Sequence, residues 1–424
     1  MAHKTKETNN VVRIVPLRLN KSQEQQCEHL RREAGCCWSD MVQAHVASRG
    51  EQWLSSNNLQ AMFKGQYALH SQTIQALAQK LESNIKTARE LRQQEAKTGE
   101  IKTRYPYKEK RYQTVPWKNQ AIKVEDGRII LSNGRGRQPL ILKLPVELQD
   151  ADIRKAELTW RADHYELCVT IDTGEVNPPL LRRVKAAGVD LGEINIAAVV
   201  TEKGEGIVVS GRHLRSVKRL RNKRHAAYDA RLSRCQPGSR RHKRLKKRKA
   251  QATAKLERQQ RDILHKASRQ VISFCEHEQV AHIAVGDVRD IQDAVNLGRK
   301  SNQKVSQWPH GQFVQYVQYK ARHKGMSTHQ IPEDYSSRTC CVCGHVLESA
   351  PRGREFKCPG CGSVIHRDGN AGANICSRFR YDEYGKVQVE HITYLRPVQL
   401  GVVEPLTRAD VACPQSLTTV EDCG

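Results

Sequence analysis

The spacing of apolar residues changes character several times along the chain. Residues 11–18 (VVRIVPLR) form a short apolar run that predicts a strand. From Ser22 the period becomes helical. Segments 22–48 and 68–97 are amphipathic, the second carrying Ile74, Leu77, Leu81, Ile85 and Leu91 at helical spacing. Between 120 and 173 the pattern shortens to strands. AIKVEDGRIIL predicts a hairpin turning at Asp126-Gly127, and LILKLP, KAELTW and HYELCVTI follow. A small β-rich domain is expected here, a barrel completed by the strand at 11–18, with the helices inserted between its strands. Asn177-Pro178-Pro179 closes this half.

The second half opens on AAGVDLGEINIAAVV (186–200), an apolar hairpin with Asp190 in mid-strand, and GIVVS (206–210) adds a third strand. An unpaired carboxylate in an apolar strand is costly unless it meets a cation or a partner. Residues 212–269 have helical periodicity broken by Pro237-Gly238. VAHIAVGDV (280–288), a helix over 308–325 ended by Gly325, and STHQIP (327–332) then form a strand–helix–strand unit. Such units are right-handed with parallel strands, which brings the strand ends at Gly286 and Glu333 to the same side of a sheet. A last helix begins at Asp368. Residues 381–424 carry no strong periodic signal and are expected to be a poorly ordered tail.

Charge changes the picture next. With 71 Lys and Arg against 45 Asp and Glu, the 424-residue chain carries a formal +26. The excess is clustered: residues 212–269 hold 22 Lys and Arg and 3 acids. A helical pair this cationic repels itself unless a polyanion lies along it, so nucleic acid is the expected partner. The candidate contacts are Arg219, Arg221, Lys223 and Arg224 on the first arm. On the second they are Arg240, Arg241, Lys243, Arg244, Lys246 and Lys247. The stretch TRYPYKEKRYQTVPWK (103–118) reads equally as a base-stacking surface or as a basic loop with partly buried aromatics. No apolar run approaches the roughly 20 residues of a membrane span, and MAHKTKETNN has no apolar core of a signal peptide. A cytoplasmic, nucleoid-associated protein without a membrane partner is expected.

Of 14 cysteines, four stand as two CxxC pairs, Cys340/Cys343 and Cys358/Cys361. Two such turns close a tetrahedral four-cysteine site suited to a structural zinc. Cys341 should point away from it, His345 and His366 are incidental neighbours, and the other cysteines should be small buried residues. A closed site of four thiolates leaves no open position for catalysis. Reactive metal would sit on hard carboxylates, for which Asp190 and Asp368 qualify with Mg²⁺. Phosphodiester hydrolysis commonly uses two such ions about 3.5–4 Å apart. An Asp-bearing hairpin, a βαβ unit and a helix opening on Asp is how an RNase H-like fold assembles that centre.

In this order, GVDLGEINIAA, HIAVGDV, YSSRTCCVCGH…KCPGCG and HRDGNAGANI resemble the motifs of TnpB, the transposon-encoded RNA-guided nuclease, and of the small type V CRISPR effectors. The likeness is close over about 185–380 and looser before that. It implies an α+β multidomain chain. A wedge-like β-barrel would occupy 1–20 and 100–183, with a helical recognition domain at 21–99. An RNase H-like RuvC domain would occupy 184–335 and 364–380, with a helical insertion at 212–280. The zinc knuckle would be 336–363. The resemblance further implies two catalytic Mg²⁺ ions, a guide RNA of transposon or CRISPR origin, and a double-stranded DNA target. Arg367 would lie near the scissile phosphate.

One motif departs from the pattern. The family's second motif usually ends its strand in Glu, where this chain has Gly286 followed by Asp287. Asp287 is a poor substitute, because a one-residue shift turns a side chain to the opposite face. Glu333 ends the adjacent strand, about 4.8 Å across the sheet, and some TnpB-like proteins carry an acid two residues before the knuckle tyrosine, here Tyr335. The resemblance thus implies a catalytic trio of Asp190, Glu333 and Asp368. The alternative is a nuclease-inactive RNA-guided DNA-binding protein acting as a repressor. A transposase proper would need a paired Tyr/His nucleophile arrangement, which is not evident.

Overall fold

A computed structural model describes residues 8–49, 52–176, 178–180, 185–289, 298–349, 351 and 353–397. The chain divides into two compact units at 176/177.

In the first unit, α1 (Lys21–Ala47) starts at a capping box in which Asn20 and Gln23 exchange side-chain and backbone bonds. A short α2 (Ser56–Phe63) has its own Ser55 cap, and α3 (Ser71–Thr98) stops at Gly99, whose φ of 93° is the left-handed helix end that glycine favours. Their apolar faces, with Trp38, Met41, Leu77 and Leu81, pack with Trp117, Leu131 and Leu158 in one core. The strands are β1 (Thr8–Pro16), β2 (Val115–Lys118), β3 (Ile122–Glu125), β4 (Arg128–Leu131), β5 (Leu140–Lys143), β6 (Asp152–Trp160) and β7 (Tyr165–Val176). The hairpin turn at Asp126-Gly127 is as expected, with both φ values positive at 49° and 69°.

One expectation changes here, and for residues 103–118 the structure matches the loop with buried aromatics. The strands form a four-stranded sheet, β1-β7-β6-β2, and a separate three-stranded sheet, β3-β4-β5, in place of one closed ring. The aromatic stretch at 103–118 folds inward. Trp117 is fully buried with its indole N–H on the Ser132 carbonyl (3.0 Å), and Tyr105 and Tyr107 stack at 5.5 Å beside Trp53 and His45. Arg49 and Arg92, from the neighbouring helical region, lie over these rings, while Arg104, Lys108 and Arg111 of the segment itself stay exposed.

The second unit centres on a six-stranded sheet of order β12-β11-β8-β9-β10-β15. β8 (Ala186–Leu191), β9 (Asn195–Thr201) and β10 (Glu205–Ser210) form an antiparallel meander. β11 (His282–Gly286) runs parallel to β8, and β12 (Ser327–Ile331) parallel to β11. α4 (Arg212–Leu232) and α5 (Arg240–His277) form the basic hairpin. The short α6 (Arg299–Ser306) and α7 (His310–His323) precede β12. α5 and α7 cover one sheet face, where Ile263, Leu264, Val271, Phe313 and Val317 share a core with Val189, Val199 and Ile283. α8 (Arg367–Tyr381) covers the other. There Gly188 lies so close that a β-carbon on it would stand 2.1 Å from the Gly372 carbonyl oxygen.

The tail expectation also needs correction. β13 (Glu355–Lys357) and β14 (Val364–His366) form the knuckle's hairpin, and beyond α8 the segment β15 (His391–Leu395) pairs parallel with β10. Five half-exposed residues at a sheet edge carry too few apolar positions for a periodic signal. Residues 398–424 lie outside the described residues. The remaining cysteines are also not uniformly buried: Cys36 is exposed, and Cys168 and Cys235 are partly so.

Candidate active site and metal centres

The four knuckle thiols converge as expected. Cys340 Sγ lies 3.7 Å from Cys361 Sγ, and Cys343 Sγ lies 3.5 Å from Cys358 Sγ, with all four within 4.8 Å of one another. Zn–S bonds of about 2.3 Å at tetrahedral corners require sulfur separations of roughly 3.8 Å, so the residues fit zinc. Ser363 Oγ lies 3.1 Å from the Cys361 sulfur and holds that thiol down at about 6, toward the thiolate a metal needs. Cys341 turns away into the core under α8, and His345 packs against the second turn at Gly360. His366 caps α8 by accepting from the Gly369 N–H at 3.2 Å.

Two asparagines outside the recognised metal and acid positions tie this knuckle to α8. Asn370 and Asn374, one turn apart and fully buried, donate to the Thr339 carbonyl at 2.8 and 2.7 Å. Asn374 also reaches the Ser336 carbonyl at 2.9 Å, and Asn370 accepts from the Cys341 N–H at 2.9 Å. The segment just after Glu333 is thereby fastened to the helix that begins at Asp368.

The three acids meet at the ends of β8, β12 and α8. At Gly286, where the family pattern has its acid, a β-carbon would stand 2.5 Å from Glu333 Oε2 and 3.4 Å from Glu333 Cβ. The Glu333 side chain thus fills the space that any side chain at 286 would enter. Asp287, one residue on, turns to Arg289, whose Nε donates to its Oδ1 at 2.9 Å, and that pairing holds the Asp287 carboxyl below its ordinary range.

The electrostatics of the trio are uneven. Asp190 is only partly exposed. Its surroundings push its carboxyl well above the ordinary range, first by burial and then through the charges of Asp368 and Glu333. Burial also lifts Glu333, with help from Asp287 and Asp334, to about 7. Its Oε2 is buried without a hydrogen-bond partner among the described residues. Asp368 differs. Burial opposes its charge, but Asn195 Nδ2 (2.7 Å), Arg367 Nε (3.0 Å) and Arg354 Nη1 (2.8 Å) donate to it, and its carboxyl lies below the ordinary range. Two carboxyls that resist ionisation beside an orphaned buried oxygen mark a shortage of positive charge. Hard oxygen donors with that shortage fit a divalent ion such as Mg²⁺. They are not drawn together as tightly as the thiols. Among the described residues only the four cysteines gather three or more such ligands for one ion.

Arg354 and Asn195 are site residues that sequence reasoning missed. Arg354 arrives through the β13–β14 pairing. Glu355 stands opposite His366, and the Arg367 N–H donates to the Arg354 carbonyl at 2.7 Å, so Arg354 faces the start of α8. The one sequence signal for this is the length of the knuckle hairpin, which sets 354 opposite 367.

Comparison with known proteins bears on the same regions. Residues 310–375 match the family model described as Cas12f1-like, TNB domain, and residues 165–292 match the one described as probable transposase (OrfB_IS605). The chain is 26% identical over 204 residues to the TnpB-like protein MJ0751 of Methanocaldococcus jannaschii, covering 47% of this chain and 70% of that protein. It also superposes on a cryo-EM structure of a Cas12f1–sgRNA–target DNA complex. The TM-score is 0.61 at 14% identity, with 84% of this chain and 83% of that chain covered.

The chain is thus similar to the TnpB and type V effector family over 165–292 and 310–375, and it shares the fold of the Cas12f1 chain. Members of this family are in general RNA-guided nucleases, and the mixed α+β architecture is the family's.

Of the other predicted nucleic-acid residues, Arg219, Lys223, Arg240, Arg241, Lys243, Arg244, Lys246 and Lys247 lie exposed on α4 and the start of α5. Arg221 instead faces Glu257 at 3.5 Å, and Arg224 donates to the Ala252 carbonyl at 3.1 Å, so these two brace the hairpin. Arg367 is spent on Asp368. No described helix is long and apolar enough to cross a membrane.

Proposed function

We propose that this protein is a Mg²⁺-dependent, RNA-guided DNA endonuclease. In this reading it hydrolyses phosphodiester bonds at a single RuvC site formed by Asp190, Glu333 and Asp368. The observation that carries the reading is the Glu333 carboxylate lying where a side chain at Gly286 would begin. An acid reaching back from two residues beyond the neighbouring strand, which ends at Ile331 opposite Gly286, needs a glycine there, and the chain has one. A protein that had merely lost its acid would have no such reciprocal fit.

The first unit serves as the wedge and recognition part, with 21–99 as the helical recognition domain. Residues 184–335 and 364–380 form the nuclease domain, and 336–363 the zinc knuckle. A guide RNA of transposon or CRISPR origin would read the target by base pairing, while the protein holds backbone. The exposed cations of the α4–α5 hairpin supply that phosphate contact.

At the site, Asp190, Glu333 and Asp368 would hold the two metal ions, and when bound these supply Lewis acidity toward the phosphodiester. The chain's own residues do the positioning. Asn195 orients Asp368 from the β8–β9 turn, and Asn370 and Asn374 fix the segment behind Glu333. Arg354 and Arg367 hold Asp368 in its charged form until a metal ion takes their place.

Plasmid cleavage with co-expressed RNA and Mg²⁺ tests this, comparing wild type with Glu333→Ala and Asp190→Ala. Cutting by wild type alone is expected. Equal cutting by wild type and Glu333→Ala would remove Glu333 from the site. Target binding by wild type without cutting would establish the repressor reading instead.

A further inference from the structure

Beyond the acidic centre and the basic hairpin, the outer face of α5 and α7 carries a stripe of rings and cations that the mechanism does not use. His265 stacks on Tyr316 with ring centres 3.9 Å apart and planes at 15°. Tyr319 meets Tyr316 edge-on at 6.0 Å, and His323 meets Tyr319 likewise at 6.1 Å. Tyr319 is 43% exposed, a large fraction for a tyrosine on a packed helix. The stripe is rigid: Lys320, beneath it, donates to the His265 carbonyl at 2.7 Å and to Ser268 Oγ at 2.6 Å, pinning α7 to α5. Gln312 donates to the Tyr316 hydroxyl at 2.8 Å. Arg261 and Arg269 stand one turn to either side of His265 on the same face of α5. Burial, with Lys320 and Arg261, holds His265 down at about 4, so its ring stacks as a neutral imidazole.

We propose that this stripe binds unpaired nucleotides, with a base laid on the exposed Tyr319, which the His265–Tyr316 stack supports, and phosphate on Arg269. Rings set in a cationic face are what single strands require: every base has a stackable face, but a duplex hides it. α5 also runs without a break from the basic hairpin to this stripe, so one backbone could follow both. The partner's class rests on the nucleic-acid reading above, but the stripe needs no cleavage to act.

The test uses the full chain carrying Asp190→Ala, so that no strand is cut. It is irradiated with a 12-nucleotide strand bearing 5-iodouracil, made as DNA, as RNA and as a DNA duplex, and the adducts are mapped by mass spectrometry. Adducts on Tyr319 with single strands, and none with duplex, are expected. Adducts with only DNA or only RNA support the inference and identify the source. Tyr319→Leu should bind single strands about tenfold more weakly, while Tyr319→Trp keeps the affinity. Adducts confined to residues 212–257, or unchanged binding by Tyr319→Leu, would overturn the proposal. Guided cutting by the unsubstituted protein with no adduct on α7 refutes the stripe and leaves the nuclease reading standing. Adducts without such cutting do the reverse.

Discussion

The knuckle and the acidic centre share a strand end and a helix start, yet they solve opposite problems. The four thiols are drawn within 4.8 Å of one another by two tight turns and suit one soft ion. The carboxyls of Asp190, Glu333 and Asp368 are held on three separate elements, and the one that is fully charged is already engaged by Arg354, Arg367 and Asn195. The first is therefore a clip and the second a receiver. A closed soft site can hold a fold together because nothing else need enter it. A set of hard acids short of positive charge gains stability only from what comes in, which is the property a reaction centre needs.

The largest effect should come from Asp190→Asn. Loss of several kcal/mol of charge stabilisation predicts guided cleavage falling by about a thousandfold, with zinc content unchanged by elemental analysis. The sign of its stability effect is also set. Because burial raises the Asp190 carboxyl, its charged form destabilises the metal-free fold as pH rises through the folded-state value. The Asn variant should therefore melt no lower than wild type without Mg²⁺ at neutral pH. A drop of several degrees would mean that Asp190 is structural.

Replacing Cys340 and Cys358 together by Ser should remove the zinc and reduce cleavage by roughly tenfold to a hundredfold, the range seen when groups supporting a metal site are lost. Retained cleavage with no zinc would break the view of the knuckle as a clip that sets Glu333 and Asp368. The exchange Gly286→Glu with Glu333→Ala sharpens the comparison further. It should restore cutting to within about tenfold of wild type, since the acid returns to the usual strand. Gly286→Glu alone should be inactive, because its side chain collides with Glu333. The smallest effect is expected of Arg354→Ala. Arg354 competes with a cation for Asp368 across a partly exposed ion pair, so the Mg²⁺ concentration for half-maximal cutting should fall by about threefold. A titration of cleavage against Mg²⁺ measures it, and a rise would show that Arg354 assists metal entry.

Much of this centre was legible in the sequence. The continuous apolar runs marked β8, β9 and β10, and the strand–helix–strand pattern required β11 and β12 to be parallel. CxxC spacing named the four thiols, and Asp368 stood at a recognisable helix start. Other parts were not legible for definite reasons. The inward fold of residues 103–118 depends on Trp53, His45 and Arg49, which lie about 50 residues or more earlier in the chain. β15 is a short edge strand whose partner, β10, lies far before it in the chain. Arg221 and Arg224 read like their neighbours as phosphate contacts, and only helix-to-helix packing turned them to Glu257 and Ala252.

The amino-acid order was enough to settle which atoms could hold metal, because the ligand chemistry of thiolates and carboxylates is local to each side chain. It also set the expectation of a polyanionic partner, because net charge needs no fold to exist. Three-dimensional packing was needed to fit Glu333 and Gly286 into one space and to bring Arg354 to Asp368. Packing also set Tyr319 and His265 on a common face. Each of these depends on the register between elements far apart in the chain, and register follows from packing the whole sheet and its helices together.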